Sequence, residues 1–485
     1  MSNNTNRGVL VLYTGGTIGS VPKDPNDPNS PRVIASWEKL LEAVPVLTTI
    51  GFKVEPYSFS PPIDSSNMKP AYWKEMAEVI EKNYDNYEGF VIVHGTDTMV
   101  YTASVLSFML ENLEKPVILT GSQIPIAGFA RNDGEQNLVT ALLIANPAFS
   151  GLPIVPEVCI YFRDQLLRGN RSQKESASGY TGFVTPNYPV LGEAGEHIVI
   201  HEDFIRKPTG RAFTINRKLD TSVVPFLVFP GIQTTTIFKQ VFSADDVKAF
   251  VLETYGTGNA PSDDDFLDVI GRATANEKIV LNVTQCPVGT VELGLYETSA
   301  GMLDRGVVSG SDVTRESAIC KLMVLLGKED LKISEVREIV ETNLAGEQSV
   351  SIYTTAFDEK GSIKGGERHR FRGEGVSSAW SPQKLSKALL RLRESSVTTK
   401  NGDAVEFLVF VGLSGDAELD TARPNFAGTF VKQANSNDNM LVFDVTTTVL
   451  ALVAPGSRTS FTIALRTEDA LVKWKRAELV FFTNE

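Results

Sequence analysis

Two short turns hold residue types that could do chemistry. Residues 9–13 are an apolar run that ends abruptly in Thr14-Gly-Gly-Thr17-Ile-Gly19. A glycine-rich turn after a buried strand brings hydroxyls and backbone N–H groups close to a ligand. The spacing does not serve a nucleotide. Gly15, Gly16 and Gly19 do not make G-x-G-x-x-G, and no lysine follows in P-loop position. By itself the turn also reads as one with no ligand. The second turn, His94-Gly-Thr96-Asp97-Thr98-Met99, follows the apolar run 90–93. A threonine beside an aspartate there can hold a water or bind an amine. The plainer role is a helix N-cap, where both residue types satisfy free N–H groups.

The surrounding chain explains how such turns would be held. Over residues 1–195 strands alternate with helices, the pattern of an α/β domain with a parallel sheet. In such sheets ligands bind at the carboxyl ends of the strands. That places the chemistry at 14–17, 64–66 and 94–98. Helices are expected after Ser36, with Trp37, Leu40, Leu41 and Val44 on one face, and from Pro70, with Trp73, Met76, Ala77 and Ile80. The proline-rich stretch 22–31 is a loop. Residues 196–222 read as a connecting hairpin, and 223–346 as a second, smaller α/β unit. Its expected strands are 226–229 and 279–283, and its expected helices 245–254, 313–326 and 334–343. The polar, glycine-rich stretch within 347–375 reads as a linker. Beyond it, a helical piece at 381–391 precedes strands that suggest a β-sandwich over 376–485.

Composition narrows the function classes. The formal net charge is −13, which argues against a nucleic-acid partner and suits a small-molecule substrate. No apolar stretch could span a bilayer, and no basic region with a long apolar run opens the sequence, so no membrane role and a cytoplasmic location are expected. The three cysteines, Cys159, Cys286 and Cys320, are far apart and odd in number, which suits a reducing compartment. The four histidines lack metal-ligand spacing.

Taken together, the turns resemble those of the bacterial-type L-asparaginases, among them the type I cytoplasmic enzymes. The matching pieces are YTGGTIGS at 13–20, IDSSNM at 63–68, GFVIVHGTDTMVYTAS at 89–104, KPVILTGSQIPI at 115–126, RNDGEQNL at 131–138 and RGNRSQK at 168–174. They continue with TPNYPVLGEAG at 185–195, YGTGNAP at 255–261, TQCPVG at 284–289 and GSDVTRESAICKL at 310–322. The resemblance implies a two-subdomain asparaginase-like α/β fold with parallel sheets, here followed by an all-β, sandwich-like domain. It implies hydrolysis of L-asparagine, and of L-glutamine as an alternative amide, through an acyl-enzyme and without a cofactor. Thr17 matches the nucleophile. Thr96, Asp97 and Lys174 match the threonine–aspartate–lysine set that assists it. Gly16, Ser65, Ser66 and Asp97 match the substrate-binding positions, and Asn259 the residue that an adjacent protomer contributes. Cys286 falls near a regulatory asparagine site of type I relatives, although a free cysteine is more often structural. Family precedent implies a homodimer or homotetramer.

The physical logic agrees. Amide hydrolysis needs a nucleophile, a route for its proton and an oxyanion stabiliser. A desolvated lysine lowers the cost of moving the proton, whereas an arbitrary lysine is usually solvated. One departure stands out: residues 18–36 contain no tyrosine, although relatives carry one on this loop to activate the nucleophile. Tyr57 or another tyrosine from elsewhere in the chain is a candidate substitute, or the loop works without one. Two rival readings remain, the amidase component of a Glu-tRNA(Gln) amidotransferase and a catalytically impaired binding or assembly protein.

Overall fold

The computed structural model describes residues 7–484, apart from 25, 28–29, 128, 130, 233–234, 295–296, 358–359, 373–375, 377, 379, 414–416 and 435–439. The chain forms two compact units. The first comprises residues 1–225, 313–332 and 344–347, and the second 226–312, 333–343 and 348–485.

The first unit is built on an eight-stranded sheet. In chain order its strands are β1 (Val9–Tyr13), β2 (Val54–Ser58), β3 (Gly89–Val93), β4 (Val117–Thr120), β5 (Val158–Phe162), β6 (Gln165–Arg168), β7 (Gly192–Ala194) and β8 (Ile198–Ile200). The spatial order is β8-β7-β6-β5-β4-β3-β1-β2. Strands β2, β1, β3, β4 and β5 run parallel, and the last three pair antiparallel. The parallel strands read as unbroken apolar runs because both faces are covered. Along β1 and β3, Leu10, Leu12, Phe90 and Ile92 enter one core beneath the helices Pro70–Asn83 and Met99–Met109. Val9, Val11, Val91 and Val93 enter the opposite core, with helix Gly134–Ala145. After β1 the chain steps outward to β2 and then back across to β3. That reversal is the topological switch point, where a crevice opens at the strand carboxyl ends.

A four-stranded sheet follows, of β9 (Val223–Leu227), β10 (Ala249–Thr254), β11 (Ile279–Thr284) and β12 (Val308–Ser309) in that order, with β10 to β12 in the second unit. The helix expected over 245–254 is therefore corrected. AFVLET at 249–254 is fully buried and pairs in parallel with β11 over six residues, so it is an inner strand, while the helix lies earlier, at Thr236–Ser243.

Two further corrections follow in the C-terminal region. The stretch expected as a linker, 347–375, carries β13 (Val350–Phe357), β14 (Gly361–Lys364) and β15 (Arg368–Arg372). The helix expected over 381–391 is the nine-residue strand β16 (Leu385–Arg393). The remaining strands are β17 (Ser396–Thr398), β18 (Val405–Val411), β19 (Phe426–Lys432), β20 (Met440–Asp444), β21 (Ser460–Leu465), β22 (Leu471–Trp474) and β23 (Arg476–Asn484). They make antiparallel sheets ordered β13-β23-β16-β20, β15-β21-β18-β19 and β14-β22-β17. LSKALLRLR favours helix by propensity, but flanking strands on both sides and burial on both faces override it. Leu390, Leu392, Leu479 and Phe481 from one four-stranded sheet share a core with Phe407, Val409, Phe461 and Ile463 from the other, the face-to-face packing of a sandwich.

Hydrogen bonds and ion pairs join this sandwich to the segments before it. Gln348 Nε2 donates to the Glu341 carbonyl at 2.8 Å, and the Asn343 N–H donates to Ser351 Oγ at 2.7 Å. Arg393 reaches from β16 to Asp304 at 3.4 Å and Glu478 at 3.5 Å, and donates to the Leu303 carbonyl. Glu341, half-buried, accepts from the Ser309 N–H at 2.8 Å.

Candidate active site

Three turns converge at the switch point because the backbone ties them together. The Thr14 N–H and hydroxyl both donate to the Val93 carbonyl, at 3.1 and 2.8 Å, joining the ends of β1 and β3. The Ile63 N–H donates to the Thr14 carbonyl at 2.6 Å, drawing in the loop after β2. Gly16 has φ +91°, and a Cβ there would lie 2.6 Å from Gly95 Cα and N. Only a pair of glycines lets these two turns touch backbone to backbone. Thr17 and Thr96 are the next residues of the respective turns. A Cβ on Gly95 would lie 2.7 Å from Ser65 Cβ, so the third turn closes on the same point. Thr98 Oγ1 fixes it by donating to the Ser65 carbonyl at 2.7 Å.

Lys174 comes from a separate segment of the unit. It lies on the short strand Gln173–Lys174, paired with Phe183–Val184. Its ammonium donates to Thr96 Oγ1 at 3.0 Å and to Asp97 Oδ1 at 2.7 Å. Lys174 is 20% exposed and Asp97 63%, so the set faces an open crevice. The turn before it, Gly169–Arg171, is anchored in the interior: Asn170 donates to the Ala345 carbonyl at 2.8 Å and Arg171 to the Glu347 carbonyl at 3.1 Å. The loop after it is held by Gln123 Nε2, which donates to the Gly179 carbonyl at 2.8 Å. Asp133 in turn accepts from the N–H groups of Gln123 and Ile124, at 2.9 and 3.0 Å.

The structure thus brings together Thr96, Asp97 and Lys174 by direct hydrogen bonds, with Gly16 and Ser65 against Gly95 at their side. Thr17 is half-buried, and its hydroxyl has no hydrogen-bond partner among the described residues. Ser65 is buried. Ser66 is exposed, and its N–H and hydroxyl donate to Asp64 Oδ1 at 2.9 and 2.8 Å. Tyr57 has its hydroxyl committed to Glu75 at 2.9 Å, and burial followed by that carboxylate pushes its pKa up. Asn259 and Cys286 lie in the second unit. Asn259 Oδ1 accepts from Thr298 Oγ1 at 2.8 Å. Cys286 is exposed, while Cys159 and Cys320 are buried and their thiols are pushed up by desolvation.

One positioning residue escaped the sequence reading. His94 is fully buried, and desolvation lowers its pKa to about 4, so the imidazole is neutral. Trp73 donates to Thr102 Oγ1 at 2.9 Å, leaving that hydroxyl to donate to His94 Nε2 at 2.9 Å. His94 Nδ1 then carries the proton and donates to the Gly95 carbonyl at 2.6 Å. The relay fixes the Gly95 carbonyl, next to the His94–Gly95 peptide that Gly16 packs against. A histidine opening a threonine-rich turn was visible in the sequence, but not its partners.

Comparison with known proteins identifies the family. The family models described as "Asparaginase, N-terminal" and "Glutaminase/Asparaginase C-terminal domain" match residues 8–206 and 223–340. L-asparaginase 1 of Escherichia coli is 40% identical over 342 residues, covering 70% of this chain and 98% of that protein. The 60 kDa lysophospholipase of Mus musculus is 38% identical over 364 residues, and the match spans 71% of this chain and 63% of the mouse protein. One component of the glutamyl-tRNA(Gln) amidotransferase of Thermococcus kodakarensis is a weaker match, 32% identical over 349 residues, covering 70% of this chain and 76% of that protein. Among solved structures, L-asparaginase I of Vibrio cholerae superposes with a TM-score of 0.62 at 38% identity, over 70% of this chain and 99% of that one. The chain belongs to the asparaginase family, with a strand-rich C-terminal region beyond the part those family models match.

Proposed function

We propose that this protein is an L-asparaginase that hydrolyses L-asparagine to L-aspartate and ammonia through an acyl-enzyme on Thr17. The observation that carries the reading is Lys174 bonded at once to Thr96 and Asp97, beside the Gly16–Gly95 contact. Thr17 Oγ attacks the side-chain carboxamide carbon. Its proton passes through the Thr96–Lys174 pair to the departing nitrogen, and ammonia leaves. Water then attacks the acyl ester, returning the proton to Thr17 and releasing aspartate. Backbone N–H groups of the glycine turn hold the oxyanion. Asp97 takes the substrate's α-amino group, and Ser65 and Ser66 its α-carboxylate. No step calls for a cofactor.

The alternative, a component of an amidotransferase, is disfavoured by lower identity and by the smaller share of that relative matched. We also assign the protein to a homodimer or homotetramer in the cytoplasm, with Asn259 completing a partner's site and the Cys286 region available to a regulatory asparagine. No helix among the described residues is long and apolar enough to cross a membrane. The test is release of ammonia and aspartate from L-asparagine and L-glutamine across a concentration range, with a lysophospholipid as a third substrate. Asparagine turnover supports the reading, and a sigmoidal curve supports regulation. Folded protein that releases nothing from either amide refutes it.

A further inference from the structure

The first unit contains a cavity of about 330 Å³ at the opposite end of the sheet from the catalytic turns. It opens at the amino end of β5, between the end of helix Met99–Met109, the helix Arg315–Gly327 and the segment 206–211. Helix Met99–Met109 starts directly after Thr98, so the cavity lies a helix length, roughly 16 Å, from the catalytic turn. The volume falls at the small end of the ~300–1,000 Å³ usual for small-molecule sites.

Its lining is divided. The floor is apolar, made by Leu110, Leu113, Val158 and Val324, all nearly inaccessible. The ionic groups around it are cationic in excess. Three carboxylates are already matched: Glu157 by Arg168 at 2.6 Å, Glu347 by buried Lys321 at 2.6 Å, and Glu111 by Lys328 at 2.6 Å. Glu157 also accepts from the Arg206 N–H at 2.7 Å. That leaves Arg206, Lys207 and Arg211 with no carboxylate partner among the described residues. The Arg206 guanidinium is braced on the Leu344 carbonyl at 2.9 Å, while the side chains of Lys207 and Arg211 are exposed at the mouth. In a chain of net charge −13, three unmatched cations on one cavity are against the general trend and raise the local concentration of anions.

We propose that this cavity is a binding site for a small amphipathic anion, with a carboxylate or phosphate head at Arg206, Lys207 and Arg211 and a short aliphatic body on the apolar floor. The site is independent of the amide chemistry. Leu344 and Ala345 of its wall belong to the segment whose carbonyl accepts from Asn170, in the turn before Lys174.

The test is calorimetric titration of the full chain with hexanoate, hexyl phosphate, inorganic phosphate and hexanol. Saturable binding of one or both hexyl anions, at least tenfold tighter than inorganic phosphate or hexanol and weakened by salt, is expected. Which of the two hexyl anions binds tighter identifies the head group. The double substitution Lys207→Ala/Arg211→Ala, on exposed positions, is expected to weaken binding at least tenfold with unchanged melting temperature. Ser107→Phe, which fills the cavity and leaves the cations in place, is expected to abolish binding of the hexyl body. Absence of saturable binding at millimolar concentration, wild-type affinity in the double variant, or full affinity in a folded Ser107→Phe variant would overturn the proposal.

Discussion

Replacing Lys174 by Met separates catalysis from stability. The side chain makes two hydrogen bonds, to Thr96 Oγ1 at 3.0 Å and Asp97 Oδ1 at 2.7 Å. Asp97 is 63% exposed, so losing its partner leaves the carboxylate solvated rather than buried and unpaired. An ion pair of that exposure contributes about 1 kcal/mol or less. The neutral bond to Thr96 adds about 1 kcal/mol. Methionine preserves most of the aliphatic packing, so thermal unfolding should shift by only a few degrees. Proton transfer by a positioned group, by contrast, is worth roughly 10²–10⁴ in rate. The variant is therefore expected to keep its fold and lose at least a hundredfold in kcat for asparagine, with a smaller change in KM. Steady-state ammonia release combined with circular dichroism reads both quantities. A variant that retains more than a tenth of wild-type kcat would refute the argument that Lys174 moves the proton. Equal loss of fold and activity would refute the claim that its role is chemical.

Three further outcomes follow from the geometry. Gly16→Ala places a methyl group 2.6 Å from Gly95 backbone atoms at φ +91°, so the two turns must separate. We expect a hundredfold or greater fall in kcat/KM, measured by ammonia release on folded protein. Glu341 has its pKa raised from 4.5 to about 7, chiefly by burial. Its folded value lies above its unfolded one, so the stability it contributes is greatest below pH 4.5 and is lost as pH rises through 7, by at most about 3 kcal/mol. Glu341→Gln should raise the melting temperature at pH 8 and leave it nearly unchanged at pH 4.5. Arg393→Met removes the cation beside Asp304 in a buried junction, where Glu478 still keeps Arg391 at 3.8 Å; the loss costs about 3 kcal/mol, whereas Arg466→Met at an exposed pair with Glu406 costs about 1 kcal/mol or less. Urea unfolding of the two variants side by side checks the contrast.

How much of this was legible beforehand depended on whether a signal was local. The buried strands 9–13 and 89–93 announce themselves as apolar runs broken by Gly-Thr turns, whereas the switch point depends on the strand Val54–Ser58 taking the sheet edge beside the first strand, which no local signal marks. The composition of the turns suggested chemistry. Only the family resemblance joined Lys174 to Thr96 and Asp97, because contacts across 77 or 78 residues leave no periodicity to read. His94 was passed over for the same reason: its relay runs through Thr102 and Trp73 on two separate helices. The misread segments failed where tertiary context outweighs propensity. LSKALLRLR is helix-prone yet sits between β23 and β20, and AFVLET is an inner strand though it follows a helix-like DDVK. The supposed linker failed differently. Its glycines and charges mark tight turns between short strands whose partners lie roughly a hundred residues later, in β21 to β23.

The central claim is that Thr17 carries the acyl group, and acid quenching tests it most directly. Enzyme mixed with saturating L-asparagine, quenched within milliseconds and mapped by peptide mass spectrometry, should show an aspartyl adduct on the peptide containing Thr17. That adduct should be absent from Thr17→Ala and accumulate in Lys174→Met if deacylation slows. An adduct mapped to Thr96 instead, or undiminished turnover by Thr17→Ala, would contradict the account.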